Sequence, residues 1–412
     1  MTLYSVNSRN AMWHMQRKHA PEYQPQPRNA PTQNMRWRVA PLRSIFYPIQ
    51  TNFMQGCFMR FSLSLASMCR TTATKAHKAS LLLCCALGLG FAPSFTPALA
   101  RNVTDMSGTV VSVPDTPTAI ADLWFAHNEI LVMLGAAAKI KVTAENPKDS
   151  PWLFKVAPVL LSARTGVRPE SANPEDLLAR KIDLVFVPQR ATAETLRHAS
   201  LPTLDAHYAT LPDMLRSLDM TAQAIGTPEA HSTAHLYRSQ MEHMLALLQS
   251  RTAPLPATAR PRVLHIARLN PLQIDGTNTL IDSWITAAGG QNAATVSGNH
   301  KPTTFEQIAA WNPDLIILGA TAGLPAPDAP LRSLPAFAKG HWAVNPQGVF
   351  SWDRYGCEEL LQLEWAAKLF HPTLFTDLNL PHDVQAFYRT FFHYTLNDDD
   401  TARILAARPP AP

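Results

Sequence analysis

One long helical stretch dictates the plan of this chain. Pro228 to Ser250 reads PEAHSTAHLYRSQMEHMLALLQS, and its apolar residues Ala234, Tyr237, Met241, Met244, Leu245 and Leu248 recur at helical spacing. Thr227 suits the N-cap and Pro228 the first helical position, so the start is marked. At 1.5 Å per residue the helix is roughly 35 Å long, about one domain diameter. On its N-terminal side, strands at Ala119–Trp124, Ile140–Ala144, Asp183–Val187 and Thr203–Ala206 alternate with helices at His127–Ala136, Pro174–Lys181, 191–198 and Asp213–Ile225. On its C-terminal side the alternation restarts, with strands at Arg262–Ala267, Asp314–Leu318 and 341–345 and helices at Thr279–Ala288, Thr304–Trp311 and Gly356–Phe370. Val384–Phe392 and Thr401–Ala407 form a helical tail.

Strands alternating with helices imply parallel sheets with crossover helices. The expected fold class is therefore α/β, with two parallel-sheet lobes joined by one long rigid helix. The N-terminal lobe covers 101–226, the linking helix 227–252 and the C-terminal lobe with its tail 253–412. Open α/β sheets bind ligands outside the carboxyl ends of their strands. Two such lobes facing each other enclose a cleft. The chain's 412 residues are ample for this plan.

The first hundred residues are of another kind. They hold 11 Lys/Arg and one acid, Glu22, whereas residues 101–412 hold 25 Lys/Arg and 30 Asp/Glu. The net charge of +5 thus belongs to the leader. The folded part is mildly acidic, and nothing in its charge argues for nucleic acid. Residues 1–74 read as a basic, disordered extension, with 1–58 polar and Pro-rich and consistent with a start codon assigned too early. Residues 75–100, KAHKASLLLCCALGLGFAPSFTPALA, have the form of a signal peptide: Lys75 and Lys78, an apolar core from Leu81 to Ala92, then Ala98-Leu99-Ala100. Cleavage is expected after Ala100, giving a periplasmic protein that starts at Arg101. Four of the five Cys lie in the leader, so the mature chain keeps Cys357 alone and no internal disulfide. The first mature segment, Arg101–Pro114, alternates around Ser107-Gly108 as a β-hairpin does.

Enzyme signatures are missing: there is no G-x-S-x-G, Walker A loop, G-x-G-x-x-G or H-E-x-x-H. His231 and His235 stand four apart on the long helix and read as a solvated face. Cys357 at a helix start reads as a packing residue. The chemistry-bearing residues fall just after strand ends: His127, then Gln189-Arg190, His207-Tyr208, Arg268 and Asn270, with His300-Lys301 and Trp352-Asp353-Arg354-Tyr355 in loops before helices. Arg suits a carboxylate or oxyanion, His and Tyr a metal, Trp a flat apolar surface.

Over 101–412 the chain resembles the periplasmic substrate-binding proteins of ABC importers for iron-siderophores, haem and cobalamin. The resemblance is carried by VTDMSGTVVSVPDTPTAIADL, by HNEILVMLGA, by the pair NPEDLLARKIDLVFV and TTFEQIAAWNPDLIIL at matching places in the two lobes, and by WDRYGCEELLQLEWAAKLFHPTLF. Ile182 stands where the first copy would carry Pro. The resemblance implies the class III fold of that family. It also implies capture of a metal chelate, such as an iron(III)-siderophore, and its delivery to an inner-membrane ABC permease dimer by a monomer without a permanent cofactor. A nickel or cobalt complex, cobalamin or an oxyanion such as molybdate is the alternative ligand. An enzyme on the same bilobed scaffold and a signalling module are the competing classes.

The pocket positions the resemblance implies fall on His127, Arg190, His300, Trp352 and Arg354; with Tyr208, Arg268 and Tyr355 from the strand-end and loop positions these form the expected ligand site, with His127 and His300 as the expected metal ligands. It places the acids that dock on the permease at Glu175 and Glu306.

Overall fold

The computed structural model describes residues 100–411. The expected extension and all of the expected signal peptide except Ala100 lie outside the described residues.

The chain opens with the anticipated hairpin, β1 (Ala100–Thr104) antiparallel to β2 (Val110–Pro114). Asp105 closes its turn, accepting from the backbone N–H of Ser107 and Thr109, and Gly108 supplies the positive φ. The N-terminal lobe then runs β3 (Ile120–Asp122), α1 (Phe125–Met133), β4 (Ile140–Thr143), α2 (Pro151–Val156), α3 (Pro174–Ala179), β5 (Leu184–Val187), α4 (Arg190–His198), β6 (Thr203–Asp205) and α5 (Leu211–Ile225). Its four strands pair in the order β4-β3-β5-β6, all parallel. β3, β5 and β6 are buried along their whole length, and β5, LVFV, reads as a continuous apolar run for that reason.

The linking helix is α6 (Pro228–Thr252), capped by Thr227, whose hydroxyl accepts from the Ala230 N–H. It buries Ala234, Tyr237, Met241, Met244 and Leu248, five of the six residues read as its apolar stripe, and Leu245 is half-buried. His231 and His235 are exposed on the other side.

The C-terminal lobe runs β7 (Arg262–Leu269), β8 (Leu272–Asp275), α7 (Leu280–Ala287), β9 (Gln291–Asn292), β10 (Lys301–Pro302), α8 (Phe305–Trp311), β11 (Leu315–Leu318), α9 (Pro335–Ala338), β12 (Trp342–Val344) and α10 (Glu359–Phe370). The tail is α11 (Leu380–Phe391) and α12 (Asp398–Leu405). This sheet corrects the all-parallel expectation. Its order is β10-β8-β7-β11-β12; β7, β11 and β12 are parallel, but β8 turns back on β7 as a hairpin and β10 pairs antiparallel to β8.

One apolar cluster passes through both lobes, beside a smaller one in each. It includes Ile130 and Met133 of α1, Met241 and Leu248 of α6, Trp284 of α7, Leu360 and Leu363 of α10, and Phe387 of α11. The lobes therefore share a packed seam along α6 and are not two bodies on a flexible tether.

Candidate functional site in the cleft between the lobes

Both sheets end on one cleft of about 250 Å³. The N-terminal lobe lines it with Phe125, just past β3, and with Glu145, Asp149 and Ser150, past β4. The C-terminal lobe contributes Gly319 and Thr321 past β11, and Gln347, Ser351, Asp353 and Arg354 past β12. This is the strand-end rule in operation: side chains leaving the carboxyl ends of parallel strands have nowhere to go but the gap.

Arg354 is the fixed cation of this cleft. Its Nη2 donates to Asp275 Oδ2 at 2.9 Å and its Nη1 to Asp275 Oδ1 at 3.3 Å, while 15% of the side chain stays exposed. Asp275 ends β8 and is itself held from two more directions, by His265 Nδ1 at 2.8 Å and by the backbone N–H of His300 at 2.9 Å. Burial opposes its ionisation, yet the hydrogen bond from His265 and the charge of Arg354 hold its carboxyl well below the usual range. The other ring nitrogen of His265 meets Asp353 Oδ2 at 2.8 Å. Burial disfavours a charged imidazole there, but the bonds to Asp275 and Asp353 outweigh it and raise the His265 pKa. An Asp–His–Asp chain thus runs beneath the guanidinium and fixes its direction.

The opposite wall is carboxylic. Burial pushes Glu145 up to about 8, and the charges of Asp122 and Asp149 add to this against a hydrogen bond from the Ser150 hydroxyl. Glu145 Oε1 and Asp353 Oδ1 are buried without a hydrogen-bond partner among the described residues. A buried polar atom left unpaired is costly, and both of these side chains line the cleft. At the rim, the Arg168 guanidinium lies over the Phe125 ring, 5.9 Å from its centroid.

Of the residues singled out in the sequence, Arg354 and its neighbour Asp353 line this cleft. Several others require correction. His127 is fully buried, and both ring nitrogens are taken, by Asp122 Oδ2 and by Thr221 Oγ1, each at 2.9 Å. It is a core histidine beneath Trp124 and cannot reach a ligand or metal. Trp352 is also buried, its indole N–H donating to Glu358 Oε1 at 2.9 Å. Tyr208 is buried too, packed on Trp124 with its hydroxyl donating to the Tyr355 carbonyl. It joins the two lobes and lies outside the cleft lining. Arg190 is exposed on α4 and paired with Glu194 at 2.7 Å.

His300 and Arg268 are exposed near the guanidinium, and Tyr355 half-exposed beside it; none of the three lines the cleft. Burial and the charges of Arg354 and Arg268 lower the His300 pKa, against the charge of Asp275. Among the described residues no group of three or more His, Cys, Asp and Glu side chains is arranged to hold a metal.

Glu175 and Glu306 occupy equivalent positions. Each is the second residue of its helix, exposed, behind an Asn173 or Thr304 cap. Cys357 is buried, with its thiol pushed up by burial and by the charge of Glu129, as suits a packing residue.

Glu145, Ser150, Thr321, Gln347, His265 and Asp275 were missed. The first four follow strand ends as closely as the residues selected, and position alone would have found them. His265 and Asp275 sit inside strands and give no such signal.

Comparison with known proteins agrees with this architecture. The profile of the periplasmic binding protein family matches residues 124–344. The molybdate-binding protein MolA of Haemophilus influenzae is 24% identical over 356 residues, 79% of this chain and 99% of that protein. A cobalamin-binding protein of Halobacterium salinarum is 27% identical over 200 residues, 45% of this chain and 53% of that protein. Among solved structures, a periplasmic solute binding protein of Veillonella parvula superposes with a TM-score of 0.65 at 24% identity, covering 75% of this chain and 97% of its own. MolA bound to molybdate gives 0.64 at 21% identity, covering 72% and 99%. With its two lobes, its single linking helix and its interlobe cleft, this chain belongs to the periplasmic binding protein family.

Proposed function

We propose that this protein captures a compact anionic metal species, an oxyanion of the molybdate kind, and hands it to an inner-membrane ABC importer. The observation that carries this reading is Arg354, held by Asp275 in a cleft of about 250 Å³. Clefts that enclose drug-sized ligands measure roughly 300–1,000 Å³. A siderophore complex or cobalamin is larger than such ligands, so the cleft favours the oxyanion alternative over the iron chelate that led the sequence reading. A guanidinium fixed in direction, largely shielded from water and bordered by Ser and Thr hydroxyls suits a small anion with several acceptor oxygens. MolA, similar over nearly its whole length, is a molybdate-binding protein, which supports the same choice.

The protein acts as an exported monomer, freed after Ala100, and catalyses no reaction. Its permease partner is met through Glu175 on one lobe and Glu306 on the other, each exposed at the start of its helix. Two contacts on one rigid body raise the effective concentration of the second.

Calorimetry on the mature chain with molybdate, tungstate, sulfate, a ferric siderophore and nickel(II)–histidine tests the ligand. The oxyanions of molybdenum and tungsten should bind, and Arg354→Ala should weaken them roughly 10- to 150-fold, as loss of a charge-assisted hydrogen bond does. Binding of the siderophore in preference to every oxyanion would refute the reading.

A further inference from the structure

Glu145 lies in the N-terminal-lobe wall of the cleft, facing the lobe that carries Arg354. Its Oε2 accepts the Ser150 hydroxyl, whereas its Oε1 is buried and has no partner among the described residues. The residue is 1% exposed yet lines the cleft. A carboxylate here would repel the anion that Arg354 attracts. A carboxylic acid would do the opposite. With Oε2 occupied as an acceptor, its proton sits on Oε1, the atom that lacks a partner.

We propose that Glu145 is a ligand-contacting, specificity-determining residue: its Oε1–H donates a hydrogen bond to the oxyanion held by Arg354. This rests on the oxyanion reading and deepens it, because the donor favours an anion that has shed all its protons. The surroundings keep the proton in place. Burial is the main cause, with the charges of Asp122 on β3 and of Asp149 in the following loop, and the carboxyl is pushed up to about 8. Glu129 on α1 is a further acidic neighbour, and Asp353 lines the same cleft from the other lobe. Arg354 is the cation on that far wall and works in the other direction. Below pH 8 the site is therefore complete, and above it the ionised carboxylate opposes the ligand. Affinity should fall by about tenfold per pH unit there, roughly thirtyfold by pH 9.5.

The test is calorimetric titration of the mature protein with molybdate and tungstate from pH 6.5 to 9.5, a range in which neither anion takes up a proton. The wild type should lose affinity with a midpoint near pH 8. Glu145→Gln keeps an N–H donor and an acceptor for Ser150, but cannot ionise. It should bind about three- to tenfold more weakly at pH 7 and show no alkaline loss. A flat wild-type profile overturns the assignment without need of the variant, and so does a Gln variant that keeps the same alkaline loss. In either case binding itself persists and the oxyanion reading survives. If the wild type binds neither anion at any pH, the oxyanion reading falls and the role of Glu145 falls with it.

Discussion

The carboxyl group of Glu129, on α1 of the N-terminal lobe, fills the space that a Cβ on Gly356 of the C-terminal lobe would need. The Cys357 thiol donates to the same carboxyl at 3.5 Å, and Tyr237 on the linking helix donates to the Cys357 carbonyl at 2.8 Å. The lobes are thus interlocked directly above α6, at the segment that leads from the cleft into α10.

Gly356→Ala should destabilise the protein by about 1–3 kcal/mol, the usual cost of overpacking a close-packed seam. Urea unfolding measures the loss. Adding Glu129→Ala in the same chain should recover part of it; a double variant no more stable than the single one would mean that the Glu129 side chain is not the obstacle.

Stability should fall as pH rises from mildly acid to alkaline. Burial raises Glu364 to about 9, with the charge of Asp383 and a hydrogen bond to it adding, and raises Glu358 to about 7 against hydrogen bonds from the Phe350 backbone N–H and from Tyr388. An acid whose folded pKa lies above its unfolded value holds a proton that the unfolded chain has released. The folded state is therefore favoured less and less between about pH 4.5 and 9, by up to ~1.4 kcal/mol per pH unit for each group. Asp275, depressed in the fold, acts in the opposite sense and loses its contribution below about pH 4. Thermal melts should peak between these limits, and Glu364→Gln should flatten the alkaline slope.

Asp275→Asn removes the anion that Arg354 and His265 share. Breaking a buried pair on one side costs about 3–5 kcal/mol, because the remaining charge is left uncompensated. A fall in melting temperature should accompany weaker oxyanion binding, since the guanidinium is no longer aimed. Weaker binding with an unchanged melting temperature would show that Asp275 does not support the fold in this way.

Glu175→Ala and Glu306→Ala should bind ligand as the wild type does, yet fail to support uptake or to stimulate the transporter's ATPase, with the Arg forms worse. Each alters stability by less than ~1 kcal/mol, the value of a carboxylate at a helix start. Normal uptake by both variants would leave them as helix-start carboxylates only.

The mature protein recovered from the periplasm should begin at Arg101. In the fold Arg101 pairs with Val113 on β2, so cleavage after Ala100 removes a single rung of the hairpin. N-terminal sequencing decides this, and a chain that retains the apolar stretch before Ala100 would contradict it.

The pattern of apolar residues was enough to locate most elements. The run DLVFV is β5, DLIIL is β11, and the stripe from Ala234 to Leu248 is the buried face of α6. Burial on one face of a helix imposes a period of about 3.6 residues, and burial on both faces of a parallel strand leaves a short unbroken apolar run between turn signals. β8 escaped because LQID is four residues long and follows Asn270-Pro271, which reads as a loop.

The site was legible only in part. Position after a strand end or before a helix indicated the neighbourhood of the cleft, and Arg354 was singled out in the loop before α10. Position could not say which way a side chain turns. His127 follows β3 only two residues after Phe125, but α1 begins at Phe125 and carries His127 round to face Asp122 and Thr221, the latter 94 residues away in the chain. Trp352 lies two residues from Arg354 yet turns inward, because Glu358, held by the Tyr388 hydroxyl of α11, accepts its indole N–H. Glu145 is a loop acid in the sequence and a buried acid in the fold. Hydrophobic periodicity is local and survives in one dimension. The direction of a polar side chain, and the charge it carries, are set by partners that only the folded chain assembles.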